Sequence, residues 1–144
     1  MFVPGLGLTA WRPPTAFGVA ATVPIFTVTG KVHVTHISGH VTGAMDATPC
    51  NLSLQHSTGA TALCGVVAIA SDIVNTYYTI TGVFANAMIA LDATTVAAAA
   101  AALMAAVSAG AGTIDYINSG DQTGIVEWWL TYIPIYPGSS VVPT

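Results

Sequence analysis

The stretch GIVEWWLTYIPIY, residues 124–136, decides the fold class because its side chains alternate over a long run. One face of the predicted strand is apolar or aromatic throughout and carries Val126, Trp128, Leu130 and Tyr132. The other face is also largely apolar and carries Ile125, Glu127, Trp129, Thr131 and Ile133. A strand that is apolar on both faces is usually buried on both. The pattern therefore predicts a strand inside a sandwich or at a subunit interface.

Working outward from this strand, the rest of the chain repeats the same pattern in shorter pieces. Residues 23–45 alternate with period two, so that Phe26, Val28, Val32 and Val34 share one face. Further strands are predicted at residues 75–82, 83–91, 112–118 and 140–142. Short strands separated by glycine-containing turns, without heptads, are typical of an all-β sandwich or jelly roll. A chain of 144 residues has room for one such core. We therefore predict a single β-sandwich domain over residues 23–144.

The first 22 residues, MFVPGLGLTAWRPPTAFGVAAT, have a different character. Their prolines favour an extended backbone and reduce the entropy that is lost when such a segment docks. We expect residues 1–22 to form an extended N-terminal arm whose aromatic side chains contact a neighbouring subunit. Those aromatic side chains are Phe2, Trp11 and Phe17. A flexible leader is the alternative, whereas a signal peptide is not expected because Arg12 follows the apolar residues.

The chain contains very little charge. Eight residues are charged, which is 6% of the sequence, and the net charge is −4; a soluble domain averages about 25%. Two cations are too few for a nucleic-acid-binding face, and the high apolar content excludes disorder. Two classes remain: a membrane protein, or a chain whose surface is covered by other chains.

The charge-free stretch of residues 93–114 does not resemble a membrane span. It consists mostly of alanine with glycine and threonine, and no lysine or arginine flanks it. A span needs Leu, Ile, Val or Phe to drive insertion, so no membrane partner is expected. Within this stretch, residues 94–109 are compatible with a short buried helix or with a packed segment of small residues.

The segment CNLSLQHSTGATALC, residues 50–64, predicts a hairpin with its turn near residues 56–58. In that register Cys50 lies opposite Cys64, and the apolar residues share one face. Two directly opposed cysteines are close enough for a disulfide, although two buried thiols are equally compatible with the sequence.

Residues that carry chemistry are few and scattered. His33, His36 and His40 lie on a predicted strand, where His33 and His36 would face opposite sides. A metal site within one chain is therefore not expected, although a threefold axis could gather three copies of one histidine. The six carboxylates occur singly, and Glu127 can pair with Lys31 or Arg12 or remain solvated. No catalytic constellation, and hence no enzyme and no cofactor, is predicted.

The C-terminal run GTIDYINSGDQTGIVEWWLTYIPIYPGSSVV resembles the ending of small virion proteins that are encoded beside the head genes of tailed bacteriophages. Such endings resemble G-x-I, a turn, W-x-L-x-Y-x-P-L and G-A-x-V. The matching positions here are Gly112, Ile114, Trp128, Leu130, Tyr132, Pro134, Ile135, Gly138 and Val141. The segments IFTVTGKVHVTHISG and YYTITG are similar in character to the same group.

This resemblance implies a capsid decoration (cement) protein, all-β and commonly trimeric, with no catalytic residues. The implied location is the outer surface of the virion, and the implied partners are the major capsid protein and other copies of the chain. The expected interface residues are Phe2, Trp11, Phe17, Trp128, Trp129 and Tyr132. The alternatives are a head-fibre or tail-associated adhesin that binds a receptor or glycan, and a small jelly-roll enzyme or ligand carrier that uses the histidines.

Overall fold

The computed structural model describes residues 7–91 and 104–144. These residues form two six-stranded sheets whose neighbouring strands pair antiparallel and which pack together as a β-sandwich. The first sheet contains β1 (Leu8–Gly18), β3 (Val32–Gly43), β7 (Tyr77–Thr79), β8 (Ile89–Leu91), β9 (Val107–Ala109) and β11 (Gln122–Pro134). The second contains β2 (Ala21–Thr29), β4 (Asn51–His56), β5 (Thr61–Ala62), β6 (Val67–Ala68), β10 (Gly112–Asn118) and β12 (Ser140–Pro143). The predicted all-β class is confirmed.

The strand order places the longest strands at the centre of each sheet. The first sheet runs β1-β11-β3-β7-β8 with β9 also paired to β3, and the second runs β12-β2-β10-β4-β5 with β6 also paired to β4. The chain passes from β10 in one sheet to β11 in the other through a short connection at residues 119–121. Residues 112–134 therefore contribute an inner strand to each sheet.

The core lies between the sheets and follows the predicted alternation. Val126, Trp128 and Leu130 of β11 are at most 1% exposed. The four residues predicted to share a face in residues 23–45 are all buried, but they line the core from opposite sheets: Phe26 and Val28 lie on β2, and Val32 and Val34 lie on β3. The opposite face of β11 is different, because Trp129 and Ile133 are each 39% exposed. Within one chain, the predicted burial of both faces is therefore not seen.

The N-terminal segment is largely part of the sandwich. Residues 8–18 form β1, which pairs with β11 from Leu8 opposite Tyr132 to Gly18 opposite Gln122. The register shifts between Arg12 and Thr15, where Pro13 and Pro14 lie, and β1 is an edge strand of the kind that tolerates proline. The boundary predicted at residue 22 falls inside β2, so it does not separate an arm from the domain. Residues 1–6, including Phe2, lie outside the described residues.

The hairpin that follows Cys50 has another register than the sequence suggests. Gln55 pairs with Ala62, which is offset by three residues from the predicted alignment. A 3₁₀ turn at Thr58–Ala60 uses left-handed backbone at its last two residues, and β6 then takes over the pairing with β4. Cys50 and Cys64 are consequently separate, buried and free thiols. Burial raises the pKa of the Cys64 thiol, whose sulfur accepts a hydrogen bond from the Leu54 amide at 3.3 Å.

The alanine-rich stretch is only partly described. Residues 94–103 lie outside the described residues, and residues 107–109 form β9, which pairs with the start of β3. In the part of the chain that is described, there is no helix with the length and apolarity required to span a bilayer.

Candidate functional site: an aromatic and polar face

The outer face of the first sheet carries a group of side chains that we call the recognition face. It consists of Trp11, Asn75, Tyr77, His40, Glu127 and Trp129. The sheet register arranges most of them in two adjacent rows. Trp11 pairs directly with Trp129 across β1 and β11, while Glu127 pairs with His40 and His40 with Tyr77 across β11, β3 and β7. Side chains that share a face in neighbouring strands lie within contact distance, so the two rows form one surface.

A continuous chain of polar contacts runs through this face. The Trp11 indole Nε1 donates a hydrogen bond to Glu127 Oε2 at 3.0 Å. The other carboxylate oxygen, Oε1, lies 2.8 Å from His40 Nδ1. His40 Nε2 lies 3.1 Å from Asn75 Oδ1. Each polar side chain is thus held by its neighbours, and four residues from four separate segments are fixed relative to one another.

The two contacts of His40 determine which of its ring nitrogens can donate a hydrogen bond. Its two ring nitrogens both face oxygen atoms, and a carboxylate oxygen can only accept. A doubly protonated ring satisfies both contacts and forms an ion pair with Glu127. A neutral ring protonated at Nδ1 satisfies the first contact, and the second then requires the Asn75 amide to present its nitrogen. In both cases the His40–Glu127 contact holds the carboxylate in place.

Aromatic rings lie at both ends of this polar chain. Trp11 and Trp129 have ring centroids 5.7 Å apart and are tilted by 31°, while His40 and Tyr77 stack at 4.6 Å and 13°. Trp11 is 44% exposed and Tyr77 37% exposed. Exposed tryptophan and tyrosine rings offer a large, rigid, amphipathic contact area. The face therefore combines fixed polar groups with accessible ring surface.

The local sequence explains how these side chains reach one face. Alternation along β11 directs Trp128 inward and its neighbours Glu127 and Trp129 outward. Asn75 precedes β7 with a φ of 73°, a left-handed conformation that asparagine tolerates better than most residues. The backbone N–H of Asn75 donates a hydrogen bond to the Val41 carbonyl at 2.9 Å, and this bond connects the turn to β3.

The chain's two cations take no part in this face. Arg12 pairs in register with the inward-facing Trp128, is 9% exposed, and donates from Nε to the Thr144 oxygen at 3.2 Å. Lys31 lies in the turn between β2 and β3 and is exposed. Glu127 is therefore paired with His40 within the chain, rather than with either of the cations considered from the sequence.

The three neighbouring histidines share a face, contrary to the prediction that His33 and His36 would point to opposite sides. The register between β3 and β11 shifts at Thr35, because His36 pairs with Thr131 and Val34 with Tyr132. This bulge inserts one residue and brings His33, His36 and His40 to the outer side. Over residues 7–91 and 104–144, no group of three or more histidine, cysteine, aspartate or glutamate side chains could hold a metal ion.

A groove lies elsewhere on the sandwich. This groove, of about 260 Å³, is lined largely by apolar residues that include Leu63, Phe84, Val107 and Ala109. His56 also lines it, but its Nε2 contacts the Gly110 carbonyl at 3.0 Å and its Nδ1 accepts from the Thr58 amide at 3.1 Å. Both nitrogens of the His56 ring have hydrogen-bond partners within the chain, so the groove presents an apolar surface rather than a reactive side chain.

The residues predicted to form interfaces separate into two sets. Trp11 and Trp129 lie together on the recognition face, whereas Trp128 and Tyr132 lie in the core. Phe17 is also in the core, 7% exposed and packed against Tyr116 with ring centroids 4.8 Å apart.

Sequence reasoning did not identify Asn75 and Tyr77, or the joint role of His40 and Glu127. The outward position of Glu127 is readable from the alternation of β11, but its partners require the strand order and register. No protein-family model matches the chain, and comparisons with curated proteins and with solved structures find no match either.

Proposed function

We propose that the chain is a virion structural protein, namely a capsid decoration (cement) protein of a tailed bacteriophage. In this proposal it binds the outer surface of the head as a homotrimer and bridges subunits of the major capsid protein. The sandwich is then of the jelly-roll type. The role is structural and requires no catalysis and no cofactor.

The observation that carries this proposal is an apolar surface with almost no charge. Several large apolar side chains among the described residues are at least 37% exposed: Trp11, Val19, Val66, Ile73, Val74, Tyr77, Val83, Phe84, Trp129, Ile133, Tyr136 and Val142. Only eight charged residues are present in the whole sequence to keep such surfaces apart. Exposed apolar side chains with so few charges around them favour association with other chains. Coverage of this surface outside the recognition face by other subunits explains both the missing charge and most of the exposed side chains.

A capsid offers many identical sites at which such a surface can be buried. Burying apolar area contributes about 25 cal/mol per Å², and simultaneous attachment of linked subunits to several sites multiplies the affinity of each. A trimer that bridges capsomers would therefore hold the shell together through many modest contacts. Such a mechanism requires neither charged nor reactive side chains, and it therefore suits a chain with this composition.

A second candidate function is a head-fibre or tail-associated adhesin that binds a receptor or glycan. The recognition face favours it, because Trp11, Trp129 and Tyr77 surround a fixed polar chain rather than forming a purely apolar patch. The two candidates share the class of virion structural protein and differ in what the chain contacts.

Binding to empty shells tests the proposal. The purified chain should sediment with empty capsids assembled from the major capsid protein of the same virus, and the bound amount should saturate. Bound chain should also raise the temperature at which the shells disassemble, since each trimer joins neighbouring subunits. Shells that bind no chain at a large excess would contradict the decoration role. Attachment to host cells without attachment to shells would favour the adhesin.

A further inference from the structure

We infer that the recognition face is a binding site for a neutral carbohydrate, with its aromatic rings packing on sugar rings and its polar chain bonding sugar hydroxyls. This inference rests on the second candidate function and deepens it, because it names the class of ligand that the recognition face would bind; it requires neither trimer formation nor a capsid.

The first argument is the form of the aromatic surface. Trp11 and Trp129 lie side by side on a sheet face and are 44% and 39% exposed, and Tyr77 is exposed across the polar chain from them. The C–H-bearing side of a sugar ring can pack on such rings with favourable dispersion and little loss of side-chain entropy. Three interstrand spacings of about 4.8 Å separate β1 from β7, so the face is about 14 Å wide. A face of this width suits a short oligosaccharide rather than a single sugar.

The second argument is the unused hydrogen-bonding capacity between the rings. Each Glu127 oxygen makes one contact within the chain and retains a further lone pair, and the Asn75 amide group makes one contact through Oδ1. Hydroxyl groups both donate and accept, so they can use either kind of group. Because the contacts within the face already hold these side chains, little conformational entropy remains to be lost on binding.

The third argument is charge. The sequence contains two cations, and neither belongs to the face: Arg12 is buried on the inner side and Lys31 lies in a turn. Sialylated or sulfated glycans, phosphates and nucleic acids would meet Glu127 without a lysine or arginine to balance their charge. The chemistry of the face is therefore selective for neutral ligands.

The fourth argument separates a carbohydrate from a protein partner. The centres of protein interfaces are depleted of charged residues, and burying a carboxylate under an apolar surface carries a desolvation penalty. Here Glu127 lies between the aromatic residues, where a protein partner would cover it. A ligand rich in hydroxyls replaces the water around the carboxylate with hydrogen bonds, so the same arrangement suits it.

The test uses the full chain and a printed array of neutral, sialylated and sulfated oligosaccharides. We expect binding to one or more neutral oligosaccharides. The strongest of these is then titrated into ¹⁵N-labelled protein while the indole N–H signals of its three tryptophans are followed. The signals of Trp11 and Trp129 should shift, and the signal of the buried Trp128 should not.

Two variants and a matched control localise the site. Trp129→Ala should weaken binding at least ~10-fold, which corresponds to a loss of about 1.4 kcal/mol. Glu127→Gln should weaken it as well while keeping the side-chain shape. Tyr136→Ala, which removes an aromatic ring that is 61% exposed and lies in the loop after β11, should bind as the wild type does. Circular dichroism and thermal melting confirm that each variant is folded.

Several results would overturn the inference: no binding on the array, binding confined to acidic glycans, or unchanged binding by Trp129→Ala. Shell binding that is lost in Trp129→Ala, in a chain that binds no glycan, would assign the face to a protein contact instead. Because the glycan measurements contain no shells, failure of this inference leaves the decoration role standing, and failure of shell binding leaves this inference standing.

Discussion

Replacing each of the adjacent tryptophans Trp128 and Trp129 with alanine should have very different effects on stability. The two side chains are neighbours in sequence and equal in size, but Trp128 is 1% exposed between the sheets and Trp129 is 39% exposed on the recognition face. Each variant is therefore a matched control for the other, and the comparison tests which face of β11 is buried. Trp128→Ala removes a core side chain, whereas Trp129→Ala removes one that already contacts water.

The magnitude follows from the buried area. A buried tryptophan removes about 150–250 Å² from water, which corresponds to about 4–6 kcal/mol. One correction lowers this figure: within the described residues the Trp128 indole N–H has no hydrogen-bond partner, and an unsatisfied buried donor costs about 1–3 kcal/mol. Alanine removes that donor together with the ring. We therefore expect Trp128→Ala to lower the free energy of unfolding by about 3 kcal/mol.

Two further variants give the comparison. Trp129→Ala should cost about 1 kcal/mol, because much of its ring is already in water. Trp128→Phe keeps an aromatic ring in the core and removes the unsatisfied N–H, so it should cost no more than about 1 kcal/mol. The predicted order of destabilisation places Trp128→Ala well above both of the others.

Equilibrium unfolding in urea, followed by far-ultraviolet circular dichroism at one fixed protein concentration, measures these differences. The fixed concentration is needed because self-association shifts the apparent stability. A shift in the midpoint at constant slope reports stability. If Trp129→Ala destabilised the protein as much as Trp128→Ala, the assignment of the inner and outer faces of β11 would be wrong.

Three other substitutions test the packing and the polar contacts of the sandwich. Gly39→Ala places a Cβ 2.9–3.1 Å from ring atoms of Trp128, so urea unfolding should show a loss of about 1–3 kcal/mol that shrinks in the Trp128→Phe background. Tyr78→Phe removes a buried hydroxyl that donates to Asp72 at 2.6 Å, and the same assay should show a loss of about 1.5–3 kcal/mol; an unchanged midpoint would contradict this contact. Hydrogen bonds from two threonines lower the pKa of Asp46 in the folded state, so its contribution is full above the unfolded-state value of 3.8 and is lost as the pH falls through the folded-state value. Thermal melting should therefore show Asp46→Asn to be less stable than wild type near neutral pH, with a difference that narrows below about pH 4; a constant difference would refute it.

The sequence pattern was sufficient to predict the strands in which apolar and polar side chains alternate. Strand β10 spans residues 112–118 as predicted, and the four residues predicted to share one face of β11 are all buried; they are Val126, Trp128, Leu130 and Tyr132. These features depend on period-two burial, which is a property of a short segment and is visible without knowing its partners.

Features that depend on register were not accessible in the same way. The bulge at Thr35, which brings His33 and His36 to one face, arises where β3 pairs with β11, about a hundred positions further along the chain. The register of the hairpin after Cys50 differs from the predicted one for two reasons. The 3₁₀ turn at Thr58–Ala60 contains left-handed residues, and the later strand β6 pairs with the beginning of β4. A pattern within one segment cannot decide between such pairings.

The candidate site was the least accessible part for the same reason. Trp11 bonds to Glu127 across 116 positions, and the His40 contacts join β3 to β11 and to the turn before β7. The sequence indicated Trp11 as an arm contact and Trp129 as a core or interface anchor, but not that the two side chains would be neighbours. The polar chain between the aromatic residues emerges only from the order of four strands.

The mass of the chain in solution tests the central claim most directly, since that claim is that other subunits cover the uncharged surface. Sedimentation velocity of the full chain at micromolar concentration should show a species near three times the chain mass of 14.6 kDa. The same species should persist at high ionic strength, because salt does not screen the apolar contacts that form it. A species of 14.6 kDa at every concentration, well behaved and free of aggregation, would contradict the account.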